Sequence, residues 1–162
     1  MEYIPRRGVV VRAFTLTDVE EIYTIRNALE MLTLPAIIER ATAEDIADLR
    51  ARLREMDRLS LSGDVESLSP VTRAFHAKLT SLSRQMRVLR VLEGQDEYIT
   101  RFSAMAIREE SNLPEANLEH HRLVDLVEAR DLPAFTELMH SHIERSKECC
   151  LLALQDQMKL RK

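Results

Sequence analysis

Apolar residues in this chain return every three or four positions, segment after segment, and almost nothing breaks the pattern. Only three glycines, Gly8, Gly63 and Gly94, occur in 162 residues, while Leu, Ala, Glu, Arg and Met are abundant. A chain built this way has little to make strands from, and its strong helix formers predict an all-α fold. Thr17-Asp18-Val19-Glu20 has the form of a capping box and predicts a first helix running to about Arg40, with Val19, Ile22, Leu29, Leu32, Ala36 and Ile37 inward. Pro35 lies inside it and withholds the N–H that the Met31 carbonyl would accept. Thr42, with Asp45 three residues on, caps a second helix to about Ser62, where Gly63-Asp64 ends it. Ser69-Pro70 reads as a cap and first-position proline for a third helix, to about Ser83. A fourth spans about Met86 to Glu110, a fifth runs from Pro114 to about Arg130, and a sixth from Pro133 toward Leu160. Short connections between about six helices predict an antiparallel bundle.

Residues 1–16 read differently. Tyr3-Ile4-Pro5-Arg6-Arg7-Gly8-Val9-Val10-Val11 joins β-branched residues to turn-formers and predicts a turn and a short strand, with no partner strand nearby. The net charge of −4 argues against the chain gripping nucleic acid by itself, because phosphate binding needs a clustered basic surface. No apolar run approaches the ~20 residues of a membrane span, and no targeting segment is evident, so a cytoplasmic protein is expected. The two cysteines, Cys149 and Cys150, are adjacent; on a helix they point about 100° apart, which suits free thiols rather than a disulfide.

The five histidines separate by helical phase. His120 precedes Leu123, Val124 and Val127 on one apolar face, and His142 follows Phe135, Leu138 and Met139. His76 sits at the shoulder of the Phe75/Leu79 stripe, while His121 and His140 share faces with acidic residues and are expected at the surface. A single inward histidine is ordinarily a hydrogen-bonded core residue. For three on three helices, two readings stand side by side: separate buried partners, or imidazoles converging on a transition metal.

Asp18, Ile22-Tyr23, Arg26 and Leu29-Glu30, then Phe75-His76, then Glu119-His120, Asp125 and Arg130-Asp131, then Met139 and His142 resemble, in order and spacing, the FCD domain. This is the ligand-sensing and dimerising C-terminal domain of one subfamily of GntR-type bacterial transcription regulators. The resemblance extends from about Thr17 to Leu152. It implies an FCD-like effector-binding and dimerisation domain over residues 17–162, and it makes residues 1–16 the remnant of a winged-helix wing and linker. DNA would then be engaged only through a winged-helix domain absent from this chain.

The resemblance further implies a divalent metal, with zinc as the default and nickel or manganese as alternatives, held by His76, His120 and His142. The family's fourth ligand, an Asp one turn before the first histidine, falls at Thr72, whose hydroxyl is a poor ligand beside a carboxylate. Affinity should drop, or a water should fill the place. Arg26 occupies a position where family members carry an arginine near the effector pocket. Two roles remain open for it: a fork onto a ligand carboxylate, or a charge neutralised by an internal acid such as Glu30. Arg101 is a second effector-binding candidate, with a surface or interface role as its alternative. The function implied is that of a homodimeric sensor of a small carboxylate, not an enzyme. The alternatives are a structural dimerisation module with a degenerate metal site, and a metal-dependent hydrolase, which lacks an inward Asp or Glu placed as general base.

Overall fold

A computed structural model describes residues 2–4, 8–10, 14–109 and 113–160. Among these, helices α1 (Leu16–Arg40), α2 (Ala43–Ser62), α3 (Val65–Ser81), α4 (Met86–Glu93), α5 (Asp96–Glu109), α6 (Leu113–Glu128) and α7 (Leu132–Leu160) form an all-α bundle. Ahead of them, β1 (Glu2–Ile4) and β2 (Gly8–Val10) pair antiparallel, with Tyr3 opposite Val9. The strand expected near Val9 therefore has a partner six residues before it, in Tyr3 and its neighbours. The turn residues Pro5, Arg6 and Arg7, together with Val11, lie outside the described residues.

Three boundaries differ from the sequence reading. The capping box of α1 is built on Thr15, whose hydroxyl accepts the Asp18 N–H at 3.1 Å while the Asp18 carboxylate accepts the Thr15 N–H at 2.7 Å. Phe14 before this cap and Val19 inside the helix meet in one apolar cluster, the arrangement of a hydrophobic staple, which favours Thr15 over Thr17. Helix α3 begins earlier than Ser69: Asp64 caps it by accepting the Ser67 N–H at 3.1 Å, and Pro70 sits inside. The carbonyl that Pro70 leaves without a donor belongs to Glu66, an exposed residue within reach of water. The long fourth helix is two. Gly94 and Gln95 separate α4 from α5, and Asp96 and Glu97 open the new helix with negative charge at its N-terminus. The apolar spacing of Leu92 and Ile99 runs in phase across the break, so periodicity alone does not reveal it.

Helix α7 packs against α1, α5 and α6, while α2 covers α3 and α6, and α3 also meets α5. Tyr23, Leu53, Phe75, Phe102, Leu123 and Phe135 fill the centre with almost no exposure. At the end of α6 Arg130 takes a left-handed φ of 59°, and its guanidinium donates to the Ala41 carbonyl at 2.7 Å and to that of Ile38. This ties the α6–α7 corner to the end of α1. No described helix is long and apolar enough to cross a membrane.

Candidate metal centre and adjoining cavity

The bundle brings His76 of α3, His120 of α6 and His142 of α7 together, each buried. His76 Nε2 lies 3.2 Å from His120 Nε2 and 3.3 Å from His142 Nε2. Phase explains the inward aim. Phe75 anchors α3 beside its histidine and meets the His120 ring edge-on at 5.3 Å, while Met139 and Ile143 fix the rotation of α7 around His142. His121 and His140 stand outside the cluster, bonded to Asp57 and Asn27 respectively.

The hydrogen bonds behind the rings determine their tautomers. Asp57 can only accept, so the Asn117 amide nitrogen must face it, at 2.6 Å, and the Asn117 amide oxygen then faces His120 Nδ1 at 3.1 Å. His120 Nδ1 is therefore the protonated nitrogen, and its Nε2 carries a bare lone pair. His142 Nδ1 likewise donates to Glu119 Oε2 at 2.9 Å, while Arg145 donates to Glu119 Oε1 at 2.8 Å. The His142 hydrogen bond, with Arg145 adding to it, holds Glu119 below its ordinary pKa. His76 Nδ1 is buried, with no hydrogen-bond partner among the described residues.

If all three rings are neutral and no cation is bound, the three Nε2 atoms share at most one proton, that of His76, and the remaining lone pairs stay unmatched. A divalent ion satisfies all three. Tetrahedral ligation with Zn–N bonds near 2.0–2.1 Å requires nitrogens about 3.3 Å apart, close to the separations found. The donor set thus fits a borderline transition metal, with carboxylate–histidine and amide–histidine supports of the kind that orient such ligands.

Burial pushes His76 and His120 well below the ordinary imidazole pKa, and neighbouring charges, His142 foremost, push in the same direction. In metal-free protein both rings are neutral when folded and protonate near pH 6.5 when unfolded. The unfolded state then binds more protons, so stability is fully present above that pH and is lost as the pH falls below it. With a chelator present, two such groups give a slope approaching about 2.7 kcal/mol per pH unit below pH 6.5. Urea titrations at several pH values measure this, and a flat profile from pH 7.5 to 5 would refute it.

A cavity of about 80 Å³ opens beside the histidines, its walls including Arg26, Thr72, Arg73, Asn117 and Arg145. Thr72 lies one turn before His76, buried, on the same wall. Of the two roles left open for Arg26, the structure has the pairing with an internal acid. Arg26 lines the cavity, and its Nε donates to Glu30 Oε1 at 2.7 Å with both side chains buried. Burial works against its charge, but Glu30 and then Tyr23 more than offset this, and its pKa rises. Arg101 is not brought to the cavity. Its guanidinium stacks on Phe14, 4.3 Å from the ring centroid. Sequence reasoning missed Arg73, although its place three residues before His76 on a helix puts both on one side. It also gave Asn117 and Glu119 no role. Asn117 was detectable one turn before His120, but the Glu119–His142 pairing joins two helices and leaves no local trace.

An FCD domain family model matches residues 21–145. Among curated proteins, the chain is similar to an uncharacterized HTH-type transcriptional regulator of Bacillus subtilis, YdhC, with 24% identity over 144 residues. The match covers 88% of this chain, which spans 64% of that relative's length. A GntR family transcriptional regulator from Pseudomonas syringae pv. tomato shares the fold at TM-score 0.74 and 22% identity, over 94% of this chain and 64% of the other. The E. coli protein McbR/YncC does so at TM-score 0.70 and 20% identity, covering 98% of this chain and 74% of that one.

Proposed function

This chain belongs to the FCD-domain family of GntR-type transcription regulators, and we propose that it binds a small carboxylate effector at a divalent metal held by His76, His120 and His142. The observation that carries this reading is the three converging Nε2 atoms at the floor of a cavity walled by Arg26. When bound, the ion supplies a positive centre with coordination positions left for a ligand oxygen. The chain's own residues do the rest. Asn117 and Glu119 hold the imidazoles in the tautomer that presents Nε2. Arg26, fixed by Glu30, offers a charged donor to the acid. Thr72 contributes a neutral hydroxyl where a carboxylate would otherwise compete for the ion. Zinc is the metal we assign, on the preference of imidazole donors, with nickel or manganese as the nearest substitutes.

Binding rather than catalysis is the role this wall suits. No Asp or Glu is among the described residues lining the cavity, so a metal-activated water would lack a carboxylate base. We propose a cytoplasmic homodimer joined through α1 and α4, with DNA engaged by a winged helix outside this chain. Leu32 and Ile25 of α1 and Met86 and Val91 of α4 stand exposed in support of that face, and Leu92 is the only buried residue of α4. Leu32→Glu is expected to sediment as a monomer at concentrations where the parent is dimeric.

The test of sensing is a thermal-shift screen of zinc-loaded protein against short-chain carboxylic acids. A selective ligand at a hundred times its Kd adds about 2.7 kcal/mol. For a chain of this size that is an expected rise of about 5–10 °C in Tm. A screen in which no acid raises Tm would instead support a structural dimerisation module whose metal site is degenerate.

A further inference from the structure

His120 and His142 are backed by different chemistry. Glu119, behind His142, is a carboxylate that can only accept, so His142 Nδ1 must donate to it. Asn117, behind His120, is an amide with a donor at one end and an acceptor at the other, and taken alone it fits either form of the ring. Turned over, it would donate to His120 Nδ1 and drive the ring proton onto Nε2, the atom a metal needs bare. The histidine cluster makes no choice of its own. His76 Nε2 and His120 Nε2, 3.2 Å apart, are bridged equally well by a proton on either one.

The choice is made outside the cavity, by a residue that does not line it. Asp57 Oδ1 on α2 takes the Asn117 amide N–H at 2.6 Å, and Asn117 is itself buried. An inverted Asn117 would set its own oxygen against that carboxylate, with no room for water between them. His121 Nε2 lies 2.9 Å and 3.1 Å from the two Asp57 oxygens and holds the carboxylate in place. A half-buried pair at the bundle surface is thus joined, through one amide, to a buried imidazole. Resting on the metal reading above, we propose that Asp57 is a positioning residue of the metal centre. It fixes Asn117, Asn117 fixes the His120 proton on Nδ1, and His120 Nε2 is left free for the ion. Outer supports of this kind are worth about 10–100-fold in metal affinity.

Two measurements test this: zinc affinity by competition with a chelator, and the His120 tautomer by proton–nitrogen correlation spectra of the metal-free protein at about pH 8, where free imidazoles are neutral. Asp57→Ala is expected to bind zinc about 10–100-fold more weakly and to show a share of His120 protonated at Nε2. Asp57→Asn, which can present either end of its amide, should lose less and serves as the second variant should the Ala form fold poorly. The double variant Asp57→Asn with Asn117→Asp exchanges the two groups. Its carboxylate faces His120 directly, so it should return the proton to Nδ1 and zinc affinity to near the parent value. Glu55→Ala removes a negative charge two positions away on α2, one bonded to Arg58 instead, and should change neither readout. Parent affinity in Asp57→Ala, weakened affinity with His120 still protonated at Nδ1, or an exchange variant that fails to recover would each overturn the positioning role alone. A parent protein that binds no zinc would overturn the metal reading and this inference with it.

Discussion

Replacing His120 with Ala is expected to leave the purified protein with almost no bound metal. Three Nε2 atoms make up the donor set, and two of their separations, 3.2 and 3.3 Å, are those of ligands on one ion. Structural zinc in four-ligand sites contributes about 10–16 kcal/mol, so one imidazole is worth roughly 3–4 kcal/mol, or two to three orders of magnitude in affinity. The loss is deeper here because the described residues offer only three protein donors to begin with. Elemental analysis after dialysis should find about one zinc per chain in the parent protein and near none in the variant, and added zinc should no longer raise Tm. Circular dichroism distinguishes loss of the site from loss of the fold, since His120 also packs its ring edge against Phe75. Equal zinc in the two proteins, or none in either, would dispose of the metal centre.

The second large effect is on stability. Arg26 and Glu30 form an ion pair one turn apart on α1, with side-chain exposures of 4% and 5%. Glu30 Oε2 already has no hydrogen-bond partner among the described residues. Arg26→Met leaves buried Glu30 without its hydrogen-bonded counter-charge, and breaking a buried pair in this manner costs about 3–5 kcal/mol. Urea denaturation of the metal-free protein isolates this from any effect on ligand binding. The double variant Arg26→Met with Glu30→Met removes both charges and should recover most of the loss, because apolar replacement of a buried pair is often close to neutral. A single variant within 1 kcal/mol of the parent would mean that water or another cation already serves Glu30.

What could be read from the sequence depended on whether the deciding interaction was local. The Thr42–Asp45 capping box, the Ile46/Leu49/Leu53/Met56 stripe and the inward phase of His120 and His142 each rest on neighbours within two helical turns, and the structure has them all. The α4–α5 break was missed because the apolar spacing stays in phase across Gly94, and the start of α3 was misplaced because Asp64 offers a cap one turn before the more conspicuous Ser69-Pro70. Within the site, phase placed the histidines inside but gave no basis for their meeting. That the three Nε2 atoms converge depends on how α3, α6 and α7 pack. The partners that set their tautomers come from farther still: Asp57 of α2 supports Asn117, and Glu119 of α6 supports His142 of α7. Arg73 was overlooked because its neighbours Val71 and Phe75 define the stripe, and a charged residue between them reads as solvent-facing.

Helix α5 has two working faces. Ser103, Ala106 and Ile107 form part of the cavity wall, while Phe102 and Tyr98 hold the ring of Phe14, with centroids at 4.7 and 5.9 Å, and Arg101 covers its other side. Phe14 is the residue just ahead of the Thr15 cap that begins α1. The helix that borders the cavity is thus also the clamp on the point where the chain enters the bundle. A tilt of α5 by a few degrees moves the cavity wall and the entry point together, because one rigid rod carries both. Helix α5 therefore gives the cavity wall and the entry of the chain into the bundle a single support.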